Sequence, residues 1–216
     1  MASDKAPTDV RHGVFARVYP WIARQEERRG GSEHRRELLA GLSGRVVEVG
    51  AGHGINFRYY PDAVTELVAV EPEPRLRVLA EDAAVHASVR VRVVRGTATA
   101  LPVDTDSCDA VVMSLVLCTV PDPDGAFAEA RRVLRPSGQL RFYEHVRSVR
   151  GWAARLQATG DLVWPRLSGG CHLSRDTGGA IRRAGFEITS VRRFHFSGLP
   201  HVLGTAVPTG PNPASS

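Results

Sequence analysis

Lysine is almost absent from this 216-residue chain. Lys5 is the only one, so 27 of the 28 basic residues are arginine. Cysteine is scarce too. Cys108, Cys118 and Cys171 are odd in number, and their spacing fits neither a disulfide framework nor a zinc site. That usage suits a reducing, intracellular setting. No run of about 20 apolar residues occurs, so no transmembrane segment is expected. Met1 to Val10 is polar and carries no signal-peptide core. Aromatic residues make up 6% of the chain, and the basic runs are short and not interleaved with them. No nucleic-acid partner is read from that pattern.

What is present fits an ordinary globular protein: 43% hydrophobic, 24% charged and a net charge of +5. The length suggests one domain with appendages. Arginine richness beside abundant Ala, Gly and Val is also what a GC-rich genome produces. The positive excess is uneven. Residues 141–216 hold ten Arg against four acids (Glu144, Asp161, Asp176 and Glu187). Such an excess would steer an anionic substrate or sit near acidic lipid.

Residues 1–10 read as a flexible leader. Residues 11–41 read as helical, with Phe15, Val18, Trp21 and Ile22 as apolar positions and Gly30-Gly31 as an interruption. This segment is either an appendage laid over the core or an ordinary packing helix. An alternation then begins. Strands are expected at Arg45–Val49, Leu67–Glu71, Val89–Arg95, Cys108–Ser114 and Gln139–Glu144. Between them lie a helical turn at Ile55–Tyr60 and helices at Pro74–Ala84 and Asp124–Leu134. Arg135-Pro136-Ser137-Gly138 reads as a turn. This rhythm predicts an α/β fold, a parallel sheet with helices on both faces. The end differs. Helices at Trp152–Trp164 and Ser174–Ala184 precede strands at Phe186–Phe196 and Val202–Val207, joined by Ser197-Gly198-Leu199-Pro200. Adjacent strands without an intervening helix predict an antiparallel pair. Residues 208–216 read as a disordered tail.

The sharpest chemical signal is Val46-Val47-Glu48-Val49-Gly50-Ala51-Gly52-His53-Gly54. An apolar strand runs into a loop with glycine at alternate positions, where backbone can approach a ligand closely. The third glycine comes one residue too early for a dinucleotide fingerprint, which weakens a phosphate reading and a nicotinamide dehydrogenase with it. Glu48 before the loop disfavours phosphate and suits a cationic or ammonium group. Glu71 ends the next strand, about 20 residues after the loop, where a carboxylate accepts hydrogen bonds from ribose hydroxyls. Its alternative is an acid at a helix N-terminus before Pro72.

These features, with Gly96-Thr97-Ala98, Leu101-Pro102, Ser107-Cys108-Asp109-Ala110-Val111-Val112 and Arg132-Val133-Leu134-Arg135-Pro136-Ser137-Gly138, resemble the class I S-adenosylmethionine (SAM)-dependent methyltransferases. The resemblance implies a Rossmann-like, seven-stranded, mostly parallel sheet with one antiparallel strand. It implies that Gly50, Ala51 and Gly52 pass the methionine part of SAM, with Glu48 beneath, near the amino group. Asn56 would belong to the same cofactor site. Glu71 would hold the ribose, Pro72 would border the adenine, and Thr97 and Ala98 would lie along the ring. Leu115 and Val116 would face the sulfonium. On this reading residues 1–41 are leader and lid-like helices and 42–207 the SAM-binding domain.

A narrower set is similar to the mammalian microsomal alkyl thiol methyltransferases, the methyltransferase-like 7 family. It comprises Gly54-Ile55-Asn56-Phe57-Arg58-Tyr59-Tyr60-Pro61, Ser114-Leu115-Val116-Leu117-Cys118-Thr119-Val120, Phe142-Tyr143-Glu144-His145-Val146 and Gly169-Gly170-Cys171-His172-Leu173-Ser174-Arg175. The family's N-terminal membrane anchor is not seen, which implies a soluble, cytoplasmic, bacterial-type relative acting as a monomer. The implied activity is S-methylation of a small lipophilic thiol. His145, at the end of the fifth strand, and His172 are the candidate catalytic residues: the arginine-rich 141–183 segment and His145 would supply a positive field for a thiolate, and His145, then His172, would be the base for an alcohol. Trp152, Trp164, Leu167, Tyr19 and Trp21 are candidates to roof the acceptor, and His53 reads as a solvated loop residue. The competing readings are O- or N-methylation of a natural product or lipid head group, and a SAM-binding module without catalysis. A nucleic-acid amino-methyltransferase would show an Asn/Asp-Pro-Pro-Tyr/Phe-like tetrad where Ser114-Leu115-Val116-Leu117 stands.

Overall fold

The computed structural model describes residues 15–148 and 176–210, together with positions 13, 151, 155, 157 and 159. The sheet order is β3-β2-β1-β4-β5-β7-β6. Its strands are β1 (Gly44–Val49), β2 (Val64–Val70), β3 (Val91–Val94), β4 (Cys108–Ser114), β5 (Leu134–His145), β6 (Phe186–Phe196) and β7 (Leu199–Pro208). β7 runs antiparallel to both β5 and β6, and the other pairs are parallel. Apolar runs without alternation put β1, β2 and β4 in the middle, buried on both faces. Val47, Val49, Val111 and Met113 point to one core. Val46, Leu67, Ala110 and Val112 point to the other.

Among the described residues, α-helices after β2 whose starts are seen begin on an acid. Glu73 accepts the Leu76 N–H at 2.7 Å ahead of α3 (Pro74–Ala84). Asp122 accepts the Gly125 N–H at 2.9 Å ahead of α4 (Pro123–Val133). Pro74 and Pro123 occupy first-turn positions where the missing N–H costs nothing. Asp176 likewise accepts from Gly179 ahead of α5 (Thr177–Arg183). The capping role open to Glu71 therefore falls to Glu73.

The N-terminal segment is helical and broken as the glycines predict. α1 (Phe15–Glu26) leads through a wide turn at Glu27–Gly31, with Gly30 at φ 106°, into α2 (Ser32–Leu39). The face that packs is not the expected one. Ala16 and Ala23 are fully buried, while Trp21 is 63% exposed and Val18 and Ile22 are also exposed. The buried positions on α1 are small, while Val18, Trp21 and Ile22 face outward. α2 buries Leu38 and Leu39 in the sheet's second core.

Two turns differ from expectation. Residues 135–138 do not end the chain's extended path. β5 starts directly after α4, and five residue steps (Leu134 to Gln139) oppose two (Cys108 to Ala110), so the extra residues bulge out of the ladder. The β6–β7 hairpin turns on Ser197 and Gly198 alone, both at positive φ (49° and 82°), and Leu199 and Pro200 already belong to β7. The expected helix at Trp152–Trp164 lies largely outside the described residues. No described helix is long and apolar enough to cross a membrane.

Candidate active site

The chain reverses its strand order between β1 and β4, and a cavity of about 350 Å³ opens there at the strands' carboxyl ends. Gly50, Gly52, Glu71, Pro72, Thr97, Ala98, Leu115 and Val116 all line it. The loop after β1 is held from below. Gly50 and Ala51 donate N–H bonds to the Val70 carbonyl at 2.8 and 3.1 Å. The Gly52 N–H donates to Glu71 Oε2 at 2.7 Å, and Glu71 Oε1 accepts the Glu73 N–H at 2.9 Å.

The glycines do different work. A Cβ on Gly50, at φ 67°, would lie 2.3 Å from Val116 Cγ2. Gly52 passes under the Tyr19 ring. Gly54 does not line the cavity. A Cβ there would meet Phe57 at 2.6 Å and Ala83 at 2.8 Å, so the third glycine serves packing. That explains a spacing ill-suited to phosphate.

Three expected site residues stand behind this wall. Ala51 is buried in the second core. Glu48 and Asn56 are buried, and Asn56 Nδ2 donates to Glu48 Oε1 at 2.6 Å, with the Tyr60 hydroxyl on Oε2 at 3.0 Å. Arg35 from α2 donates to Asn56 Oδ1 at 2.8 Å and to Glu27 at 2.7 Å. Glu27 also accepts from Tyr59. Glu48 thus faces a polar network rather than the cavity. Nothing in the sequence points to this role for Arg35, because an arginine in an arginine-rich run carries no local mark of burial.

Burial pushes the Glu48, Glu71 and Glu144 carboxyls up to about 7, against the pull of their hydrogen bonds. Glu144 is fully buried at the end of β5 and accepts the Val116 and Leu117 N–H groups. His145, next to it, does not line the cavity. It pairs across the ladder with His201, ring centroids 4.4 Å apart. Burial pushes His201 down to about 3, and its Nδ1 bonds the Leu199 carbonyl at 2.9 Å. His53 is half-buried edge-on to Tyr19 rather than solvated, and burial pushes it down to about 4. Tyr19, on the inner face of α1, lines the cavity, and burial pushes its hydroxyl up to about 12. Trp21 points away. His172, Cys171, Trp152, Trp164 and Leu167 lie outside the described residues. Sequence reasoning missed Thr119, Val120 and Asp122 on the cavity wall. Asp122-Pro123 signals only a helix start.

Known proteins share this arrangement. Residues 47–142 match the methyltransferase domain family. The thiol S-methyltransferase TMT1B of Mus musculus is 34% identical over 182 residues, covering 78% of this chain and 73% of its own. TMT1A of Homo sapiens is 33% identical over the same shares. The chain belongs to the methyltransferase-like 7 family of class I SAM-dependent methyltransferases. The solved structure of the [4+2]-cyclase SpnF has the same fold, with a TM-score of 0.74 at 21% identity over 95% of this chain and 98% of that one. The cofactor of a family member is SAM, and the cavity fits it. A buried carboxylate stands at the tip of β2 beside a loop whose Cβ-free Gly50 leaves no side chain between backbone and ligand. Leu115 and Val116 supply an apolar end.

Proposed function

We propose that this methyltransferase S-methylates a small lipophilic thiol. The carrying observation is the apolar Leu115–Val116 wall of a cavity whose described lining holds no histidine or lysine, and whose carboxylates Glu71, Glu73 and Asp122 are already engaged by backbone amides. An acceptor there must bring its own nucleophile. A thiol does so, being a few per cent ionised at neutral pH. The family relationship to proteins named thiol S-methyltransferases supports the same acceptor.

Bound SAM supplies an activated methyl group on a sulfonium. The chain's part is orientation and field. Glu71 accepts from the ribose hydroxyls while its other contacts fix the Gly52 N–H. Pro72, Thr97 and Ala98 bound the adenine. The backbone of Gly50, Ala51 and Gly52 runs along the methionine part, with Asn56 and Glu48 holding the loop and the Glu48 carboxyl adding negative potential behind it. Tyr19 covers this end, which makes α1 a lid. The arginine-rich 141–183 stretch and His145 lend positive potential that favours the thiolate of an entering thiol, and His172 is the second residue that would serve as base for an alcohol acceptor.

The test is turnover with SAM against an alkyl thiol, a thiophenol, the matching phenol and an amine, with products read by mass spectrometry. Methylated thiols with untouched phenol and amine are expected. Methylated phenol or amine with untouched thiols would overturn the acceptor assignment in favour of O- or N-transfer. SAM binding with no acceptor turned over would favour a binding module.

A further inference from the structure

β4 ends at Ser114, and the chain then makes a turn that the cavity uses as a wall. Leu115 sits at φ 55°, a left-handed conformation that a branched non-glycine residue rarely adopts. Backbone strain of this kind persists only where the surroundings over-determine it. Here they do. The Leu115 N–H donates to the Tyr143 carbonyl at 2.7 Å. The next two amides, of Val116 and Leu117, both donate to one carboxylate oxygen, Glu144 Oε1, at 2.9 Å each. Glu144 is 0% exposed. Its hydrogen-bond partners in the described structure are main-chain amides. A side chain needed only to fill the core would be apolar at this position, because burying a carboxylate is costly. A carboxylate is suited to gathering adjacent amides that no neighbouring strand can take.

The turn held in this way touches the cofactor loop. The Val116 side chain occupies the space that a Cβ on Gly50 would need, with Val116 Cγ2 2.3 Å from that point. Leu115 and Val116 both line the cavity. Contact therefore runs from the Glu144 carboxylate through the Val116 and Leu117 amides to the Val116 side chain and the Gly50 backbone.

The geometry points to Glu144 as a positioning residue for methyl transfer, clamping the turn after β4 so that Leu115 and Val116 hold the reacting end of the cofactor against the glycine loop. This rests on the SAM reading of the cavity. The clamp acts through geometry, so an uncharged acceptor of the same shape serves equally well.

The test compares full-length wild type, Glu144→Gln, Glu144→Leu and Glu144→Asp. Three quantities are read: hydrogen exchange of the Val116 and Leu117 amides without ligand, SAM affinity by calorimetry, and kcat and KM for an alkyl thiol. Glutamine keeps an oxygen in place and is expected within about threefold of wild type in all three. Leucine removes the acceptor. Amide protection is expected to fall at least about tenfold and kcat about 30-fold, with thiol KM changed less than about threefold. Aspartate withdraws the oxygen by one methylene and gives the same pattern at smaller size, which decides the matter if the leucine variant does not fold. Wild-type protection and kcat in Glu144→Asp or Glu144→Leu would overturn the clamp. So would a glutamine variant as impaired as the leucine one, since the charge would then be what matters. If wild type leaves thiols unmethylated, only the acceptor assignment falls, because amide protection and SAM affinity still report the clamp.

Discussion

The Arg35 guanidinium donates to the Asn56 side-chain oxygen across 2.8 Å, and this buried bond joins the N-terminal helices to the cofactor loop. Asn56 passes the connection to Glu48 beneath the loop, and Glu27 holds the other edge of the guanidinium. Arg35→Met would leave Glu27 and Asn56 without their donor. Removing one member of a buried ion pair costs about 3–5 kcal/mol. Glu27 keeps its Tyr59 partner, so the loss expected in urea unfolding is about 2–4 kcal/mol, with SAM binding weakened about tenfold. Arg35→Lys is not expected to rescue it, because one ammonium cannot reproduce the guanidinium's fork.

Gly50 and Gly54 separate binding from folding. Gly50→Ala places a methyl against Val116 on the cavity wall, at a positive φ. It is expected to fold and to lose SAM affinity by at least about 100-fold, since the loop must shift where the cofactor passes. Gly54→Ala drives a methyl into Phe57 and Ala83, away from the cavity. Its expected signature is a lowered melting temperature with cofactor affinity much less affected in the protein that does fold. Calorimetric titration and thermal unfolding of the two variants check the contrast.

Cofactor affinity should depend on pH. Burial pushes Glu71 and Glu48 up to about 7, so each is largely protonated at pH 6 and ionised at pH 8. The ionised forms attract the sulfonium cation. SAM binding is therefore expected to tighten as pH rises from 6 to 8 and then level off. The gain is up to about tenfold per unit for each linked proton. S-adenosylhomocysteine has lost the sulfonium charge and should tighten less. Equal pH dependence for both ligands would contradict this account. Glu71→Gln should flatten the slope and weaken SAM throughout.

His201 should shape stability in acid. It titrates at about 3 when folded, against 6.5 as a free side chain, because burial disfavours its charged form. Between those values the unfolded chain binds the extra proton, so this contribution to stability is lost as pH falls below 6.5. The slope is at most about 1.4 kcal/mol per pH unit. The buried carboxylates act oppositely: their folded forms hold protons that the unfolded chain releases, so stability falls as pH rises from 4.5 toward 7. His201→Phe removes only the first effect. Relative to wild type it should gain stability steadily as pH falls below 6.5, as read by urea midpoints across the range.

Much of the fold was legible before any contact was known. α3, β4 and β6 begin and end where the sequence places them. Their signals are local: an acid before proline, an unbroken apolar run, a strand between turn residues. The bulge in β5 was not legible, because Pro136-Ser137-Gly138 carries turn chemistry whether the chain reverses or only loops out of a ladder. The outward face of α1 was misread for a related reason. Apolar spacing marked Val18, Trp21 and Ile22, but the positions the packing buries are Ala16 and Ala23.

The sequence by itself determined the family, the seven-stranded, mostly parallel sheet that goes with it, and the meeting of the glycine loop with Glu71, because strand-end residues in a parallel sheet share one edge however the rest packs. The tertiary structure alone decided the polar partnerships. It set Arg35 against Asn56, Glu144 against the Val116 and Leu117 amides, and His145 beside His201. Those partners lie 21 to 56 residues apart in the chain, beyond the reach of any local pattern. A buried polar group takes whatever partner packing brings within hydrogen-bond distance, and that choice exists only once the core has closed.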